Sequence, residues 1–292
     1  MTQGNQRERT TAGVIGLGFM GASLAAALRR SGSLTRVLGY DSEPAAAKRA
    51  LDAGFVDEVT DSAAAVAGAA DLLVLCTPVQ RIIGYLTELG PVLRPGTVVM
   101  DIGSTKHAVT AAMDELLPAG VVPLGGHPMT GPATAGVTEP DAVVYEGRVF
   151  LLTPTPRTDE ETLRWCTGVM ESLGARVEVV DPERHDRLVA VVSHLPRMLP
   201  VPLLSLAADD PDPMLPHLPA GGFRESTRKA TESLDMWVDV LVTNAGPVAD
   251  SLRAYARAVE AVADQVAEGD QTTLRALLAD ADQRWRALFD QP

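Results

Sequence analysis

The stretch Val14-Ile15-Gly16-Leu17-Gly18-Phe19-Met20-Gly21 decides how this chain is read. Short apolar residues lead in, three glycines follow at G-x-G-x-x-G spacing, and an alanine-rich run over residues 22–30 leads out, with Leu24 and Leu28 at helical spacing. This is the pattern of a strand turning tightly into a helix whose N-terminal amides can hold a pyrophosphate. A second strand pattern, residues 36–40, ends at Asp41, twenty positions after Gly21. A dinucleotide fold places there the carboxylate that accepts hydrogen bonds from the adenosine ribose hydroxyls, and such a carboxylate repels a 2′-phosphate. Ser42 and Glu43 follow with no adjacent arginine, so the residues favour NAD over NADP. A glycine turn that only packs helix on sheet explains the glycines but not the acid.

Working outward, apolar strand patterns at residues 71–77, 97–102, 121–124, 148–153 and 176–180 alternate with helical patterns at 63–70, 79–89 and 159–173. Near-continuous apolar strands are the kind buried on both faces of a parallel sheet. The alternation predicts an α/β fold, an N-terminal doubly wound parallel, Rossmann-like sheet. Ligands in such sheets bind beyond the carboxyl ends of the strands. Asp41, Thr77, Ser104 and His127 all fall just after predicted strand ends, so they are expected to crowd one crevice. Gly16, Gly18, Phe19, Met20, Gly21, Asp41, Thr77, Pro78 and Ser104 are the candidate cofactor-binding residues.

From Pro182 onward the pattern is helical, giving a predicted NAD-binding domain at residues 1–180, with 1–11 as a loose tail, and an all-α domain at 181–292. Pro196, Pro200 and Pro202 predict a kink or break in the first helical run. Leu252, Tyr255, Ala256, Val259, Val262, Ala263 and Val266 share one helical face, as do Leu274, Leu277, Leu278, Trp285, Leu288 and Phe289. A small helical domain seldom buries such faces alone, so it is expected to make a homodimer.

The bulk composition sets limits. The chain has 292 residues, 46% hydrophobic and 22% charged, which is globular; aromatics at 4% predict an aliphatic core. A formal net charge of -13 disfavours nucleic acid and anionic membranes. An anionic substrate then needs a local basic pocket. Cys76 and Cys166 read as reduced thiols outside any metal-ligand spacing, and no metal is expected. No apolar run is read as reaching the roughly 20 residues that span a bilayer, and the polar start lacks the apolar core of a signal peptide, so a cytoplasmic protein is expected.

The chemistry-bearing candidates lie opposite the turn. His127, in Gly125-Gly126-His127-Pro128, is read as lying on a glycine-rich loop after a strand; a side chain with an ordinary pKa of about 6.5 suits general base work. Ser104 is read as the N-cap of the next helix, with its hydroxyl at the crevice mouth. His194 lies in a helical run. Arg224, Arg228 and Lys229 form a basic cluster, in which Arg228 can fork onto a carboxylate while Glu225 pairs with it along the helix.

Asp101-Ile102-Gly103-Ser104-Thr105-Lys106, Gly125-Gly126-His127-Pro128-Met129-Thr130-Gly131, Ser193-His194-Leu195-Pro196 and Gly222-Phe223-Arg224-Glu225-Ser226-Thr227-Arg228 occur in this order. Together they resemble the prephenate dehydrogenase family of tyrosine biosynthesis, which includes arogenate and cyclohexadienyl dehydrogenases. The resemblance implies NAD-dependent oxidative decarboxylation of a cyclohexadiene substrate to an aromatic product, in a homodimer. It implies His127 as base with Ser104 beside it, and Arg228 on a substrate carboxylate supported by Glu225. It also implies His194 and Thr130 in the substrate pocket, and Trp237 reaching the site from a partner subunit. No appended regulatory domain is expected.

Departures cluster around the substrate. Pro132 and Ala133 stand where the family commonly has threonine or serine and then glutamate, and Arg197 replaces a second histidine. Arg197 can bind a second carboxylate or accommodate a variant side chain, so a 4-amino-4-deoxyprephenate dehydrogenase is the enzyme alternative. A 3-hydroxyacid or imine reductase shares the glycine turn but usually carries a serine-glycine-glycine loop where this chain has Gly125-Gly126-His127-Pro128. An NAD-binding sensor or inactive paralogue is the reading of another class.

Overall fold

Strand β1 (Thr11–Ile15) carries the glycine turn at its carboxyl end and sits inside an eight-stranded sheet. Its companions are β2 (Arg36–Tyr40), β3 (Glu58–Val59), β4 (Leu72–Leu75), β5 (Val98–Asp101), β6 (Val122–Pro128), β7 (Val149–Pro154) and β8 (Arg176–Val179), in the order β3-β2-β1-β4-β5-β6-β7-β8. The computed structural model describes residues 10–131, 139–231 and 234–290. The departures noted at Pro132 and Ala133 lie outside the described residues.

Register explains the crevice. Ile15 pairs with Tyr40 on one side and Leu75 on the other, and Leu75 pairs with Asp101. The loops that begin at Gly16, Asp41, Cys76 and Ile102 therefore leave the sheet in one line. The order reverses between β1 and β4, and a parallel sheet opens its ligand crevice at such a point. The expected doubly wound sheet is present, with one change at its far side. β7 runs antiparallel to β6, pairing His127 with Leu151.

Helices α1 (Phe19–Ser31), α2 (Pro44–Asp52), α3 (Ala63–Ala69), α4 (Val79–Leu89), α5 (His107–Leu116) and α6 (Glu160–Glu171) cover the sheet. Neighbouring strand residues alternate between two apolar layers. Val14, Val37, Val74 and Met100 pack with Leu24, Leu28 and Met170 in one. Ile15, Leu38, Leu75 and Val99 pack with Ile82, Leu86 and Met113 in the other. The core is aliphatic as the composition predicts, with Tyr145 and Phe150 among its few rings. Tyr145 also serves the turn, its hydroxyl donating to the Met20 carbonyl at 2.8 Å.

Past the sheet come α7 (Pro182–Val189), a π turn (Ala190–His194), α8 (Leu195–Met198), α9 (Pro200–Ala208), α10 (Gly221–Thr227) and α11 (Leu234–Thr243). The expected break is small: it falls at Leu199, and Pro196 and Pro200 stand in the first turns of α8 and α9, where a missing N–H costs little. Residues Pro182–Ala208 form one helical run long and apolar enough, by length and composition alone, to cross a membrane. That corrects the expectation that no run reaches this length. The polar residues that disguised it, His185, Asp186, His194 and Arg197, are buried inside this compact unit.

By packing, the chain divides into two compact units, Met1–Ala245 and Gly246–Pro292. The helices α7 to α11 thus share a unit with the sheet. The second unit is built from α12 (Ala245–Glu268) and α13 (Gln271–Phe289), whose Tyr255, Val259, Val262, Leu278, Trp285, Leu288 and Phe289 are exposed.

Two glycines of the turn are held by space and one is not. A Cβ on Gly21 would overlap the Gly16 carbonyl oxygen, whereas one on Gly18 would meet nothing within 4 Å. Gly21→Ala is therefore expected to lower unfolding free energy by about 1–3 kcal/mol, the usual cost of overpacking. Gly18→Ala should stay within about 1 kcal/mol of the parent. Urea denaturation of both variants checks this, and equal midpoints would contradict it.

Candidate active site

The glycine turn is built for close approach of a ligand to backbone. Gly16 has φ 94°, and a Cβ there would stand 2.6 Å from the Cys76 carbonyl oxygen. Gly18 is exposed and opens α1, its carbonyl accepting from the Ala22 amide at 2.9 Å. The space a Cβ would occupy at Gly18 is open, as a pyrophosphate beside the helix N-terminus requires. Phe19 and Met20, half-buried, form the first turn of that helix. Asp41 closes the turn from the next strand: its carboxylate accepts from the Leu17 amide at 2.6 Å and the Glu43 amide at 2.8 Å. Across the crevice, Thr77 precedes Pro78 at the start of α4, and the Thr77 Oγ1 is buried with no hydrogen-bond partner among the described residues. An open cradle, a carboxylate at the end of the neighbouring strand and an orphaned hydroxyl fit a dinucleotide.

His127 is not on a loop. β6 continues through Pro128, so the ring projects from the last residues of a strand, level with the segment after β5. The glycines before it are there for lack of a Cβ. A Cβ on Gly125 would overlap Thr153 Oγ1, and one on Gly126 would lie 2.6 Å from the Asp101 carbonyl oxygen. Beneath them Lys106 and Asp101 form a fully buried ion pair. Burial pushes Asp101 up and Lys106 down, and their mutual attraction opposes both shifts. Asp101 also accepts from the Gly103 amide at 2.7 Å, which ties the Ser104 segment to the strand end.

Ser104 does not cap α5. The helix begins at His107, and its leading amides turn instead to Asp186 from α7: Lys106 N donates to Oδ1 at 2.7 Å and His107 N to Oδ2 at 3.0 Å. The acceptor comes from 80 residues away, and Ser104 is left half-buried ahead of the helix. Asp186 Oδ1 also meets His185 Nδ1 at 2.7 Å, and His185 Nε2 meets His127 Nδ1 at 2.8 Å. Burial works to raise the Asp186 carboxyl, but the hydrogen bonds from His185 and the two amides leave it below its ordinary value. Burial, with His185, Lys106 and His194 nearby, holds His127 well below 6.5, and burial lowers His185 as well. Asp186 is thus an anion while both rings are neutral. Burial also raises the Cys76 thiol far above its usual range, so it is inert.

The helical side supplies the remaining groups. His194 is buried at the end of the π turn; its Nδ1 lies 3.1 Å from Asn244 Nδ2, which also donates to the Asp186 carbonyl at 2.8 Å. Its Nε2 is buried with no partner among the described residues, and burial lowers its pKa to about 4. Trp237, on α11, packs edge-on against His194 at 5.9 Å, and the Arg197 guanidinium lies 5.1 Å from the Trp237 ring centre. Trp237 thus contacts these residues within its own chain. Arg197 is buried, while Arg228 is exposed and pairs with Glu225 at 3.6 Å. Thr130, just past β6, donates to the Val144 carbonyl at 3.2 Å.

The structure thus brings together His127 and, around His194, Asn244, Trp237 and Arg197, with Asp186 joining the two groups. Sequence reasoning missed His185, Asp186, Lys106, Asp101 and Asn244. The adjacent His185-Asp186 pair, just after the Asp181 N-cap of α7, was the available signal. No metal-binding cluster occurs among the described residues.

Known proteins share this arrangement of elements. A prephenate dehydrogenase of Bacillus subtilis (strain 168) is 29% identical over 262 residues, 89% of this chain and 71% of the relative. A 4-amino-4-deoxyprephenate dehydrogenase of Streptomyces pristinaespiralis is 27% identical over 276 residues, 91% of this chain and 87% of the relative. The crystal structure of prephenate dehydrogenase from A. aeolicus in complex with hydroxyphenyl propionate and NAD+ superposes with a TM-score of 0.87 at 30% identity, covering 97% of this chain and 100% of that one. Residues 24–179 match the family described as "Prephenate dehydrogenase, nucleotide-binding domain", and residues 181–280 match "Prephenate dehydrogenase, dimerization domain". On these matches, which span most of its length, the chain belongs to the prephenate dehydrogenase family.

Proposed function

We propose that this chain is an NAD-dependent dehydrogenase that converts prephenate, or arogenate, by oxidative decarboxylation to 4-hydroxyphenylpyruvate, or tyrosine. The observation that carries the reading is the His127 ring, tethered through Nδ1 to His185 and set at the carboxyl edge of the sheet, the edge that carries the glycine turn. NAD, when bound, accepts hydride from the ring carbon that bears the hydroxyl.

The residues of the chain do the rest. His127 Nε2 takes the hydroxyl proton as the carbon–oxygen bond gains double-bond character, then returns it to the phenol oxygen. The bond to the ring carboxylate breaks with its electron pair entering the ring, and carbon dioxide leaves as the ring becomes aromatic. Ser104 stands beside this proton transfer. His194 and Thr130 line the substrate, and Arg228, oriented by Glu225, holds a carboxylate. Gly16, Gly18, Phe19, Met20, Gly21, Asp41, Thr77 and Pro78 hold the dinucleotide, with Asp41 on the ribose.

Arg197 and Trp237 shape the far end of the pocket. The buried Arg197, stacked on Trp237 where relatives are expected to carry a histidine, favours a second reading, 4-amino-4-deoxyprephenate as substrate. Residues 181–292 serve as the substrate-binding and dimerisation domain of a cytoplasmic homodimer, in line with the exposed apolar faces of α12 and α13 and the family's dimerization domain.

Product analysis with NAD and, separately, prephenate, arogenate and the 4-amino analogue tests the reading. Formation of 4-hydroxyphenylpyruvate or tyrosine is the expected result; turnover of the 4-amino analogue alone selects the second reading, and turnover of none sinks both. His127→Ala should lower kcat by a factor of about 10²–10⁴ while cofactor binding survives. A base works only when neutral, and burial lowers His127, so the acidic limb of kcat/KM should fall below pH 6.5 and vanish in that variant. A His127-dependent limb at or above that pH contradicts the assignment. Asp41→Ala should weaken NAD and relax the preference against NADP; an unchanged ratio of the two affinities contradicts the ribose role.

A further inference from the structure

We infer that Asp186 is the hub of a two-branched tautomer lock: its carboxylate, through His185, keeps the His127 proton on Nδ1, and its main-chain carbonyl, through Asn244, keeps the His194 proton on Nε2. The inference rests on the proposed base role of His127 for its purpose, not for its geometry.

Hydrogen-bond bookkeeping carries the first branch. An ionised carboxylate only accepts, so the 2.7 Å contact between Asp186 Oδ1 and His185 Nδ1 places the His185 proton on Nδ1. The His185 ring is neutral, so its Nε2 holds a lone pair and can only accept. The 2.8 Å contact then requires His127 Nδ1 to donate, which leaves the His127 lone pair on Nε2. Carried by a second ring, this is the logic by which a buried carboxylate selects the tautomer of a catalytic histidine.

The second branch has the opposite sense. The Asp186 carbonyl can only accept, which orients the Asn244 amide with its nitrogen toward that carbonyl at 2.8 Å. The same nitrogen lies 3.1 Å from His194 Nδ1, so Nδ1 accepts and the neutral ring carries its proton on Nε2. That buried Nε2–H has no protein partner among the described residues and is a donor held ready for a substrate oxygen. One residue therefore sets an acceptor at His127 and a donor at His194. The charged or titratable groups facing these rings are Lys106, Asp101, Asp186 and His185.

Histidine tautomers are read directly by long-range proton–nitrogen correlation NMR on the whole chain labelled with ¹⁵N-histidine, without substrate, near neutral pH. The expected spectrum has a pyrrole-type Nδ1 and pyridine-type Nε2 for His127, and the reverse for His194. In Asp186→Asn the side chain can either accept from or donate to His185 Nδ1, so His127 loses its single tautomer while His194 stays. kcat should fall by about 10²–10⁴-fold with a much smaller change in KM. In Asn244→Asp, His194 gains a proton on Nδ1 while His127 stays.

His185→Phe leaves the Asp186 bonds to α5 intact and should release His127 into a mixture of tautomers, which covers the case in which Asp186→Asn does not fold. A wild-type His127 with its proton on Nε2, or both rings changing together, or neither changing, overturns the lock. The expected wild-type spectrum combined with full turnover in His127→Ala would keep the lock and remove only the base role.

Discussion

The Asp186 carboxylate is a buried anion with nowhere to go but into hydrogen bonds, and much of the site follows from how it obtains them. Leaving it unsatisfied would be costly. It takes two amides from the start of α5, where the partial positive charge of the helix end also favours an anion, and one ring N–H from His185. Those bonds fasten α7 to the edge of the sheet and settle where α5 begins. They also fix the His185 ring, on which His127 leans. The fold and the chemistry thus share one constraint: if α7 shifted, α5 would lose its cap and His127 its tether together.

A second constraint lies beneath. The Asp101–Lys106 pair is buried against β6, where Thr153 Oγ1 and the Lys106 stem crowd Gly125, and the Asp101 carbonyl oxygen crowds Gly126, so that neither position has room for a Cβ. Each member compensates the other, so the floor of the site carries two charges and little net field. It therefore does little to charge the histidines nearby, and the pull toward ionisation on His185 comes from the Asp186 carboxylate. Burial outweighs that pull at His185 and His194, and at His127 nothing opposes it.

What the sequence made legible was local. The glycine spacing, the acid at the end of the second strand and the apolar strands are patterns within about thirty residues, and the turn and the doubly wound class of the sheet follow from them, though not the antiparallel β7. His127 was also visible, though as a loop residue. Gly125 and Gly126 read as loop glycines, and only the packing shows that they are strand glycines chosen for space. Ser104 looked like a cap because capping is normally local; here the acceptor arrives from α7. His185, Asp186 and Asn244 were illegible for the same reason: their partners are 50 to 80 residues distant, and nothing in period or spacing announces such a pairing. In the helical run that carries two of them, polar residues interrupt the apolar pattern and hide its length.

The π turn at Ala190–His194 has a consequence for alignment. His185 and His194 are nine residues apart, which in a uniform α-helix turns them about half a revolution from one another. A π turn winds one extra residue into a single coil, so the two rings stand as if eight apart, less than a quarter-turn from each other. The helix therefore carries one surplus residue as a phase correction. Angular position along a backbone is altered in a single step, and two side chains that helical winding would separate are brought to the same side.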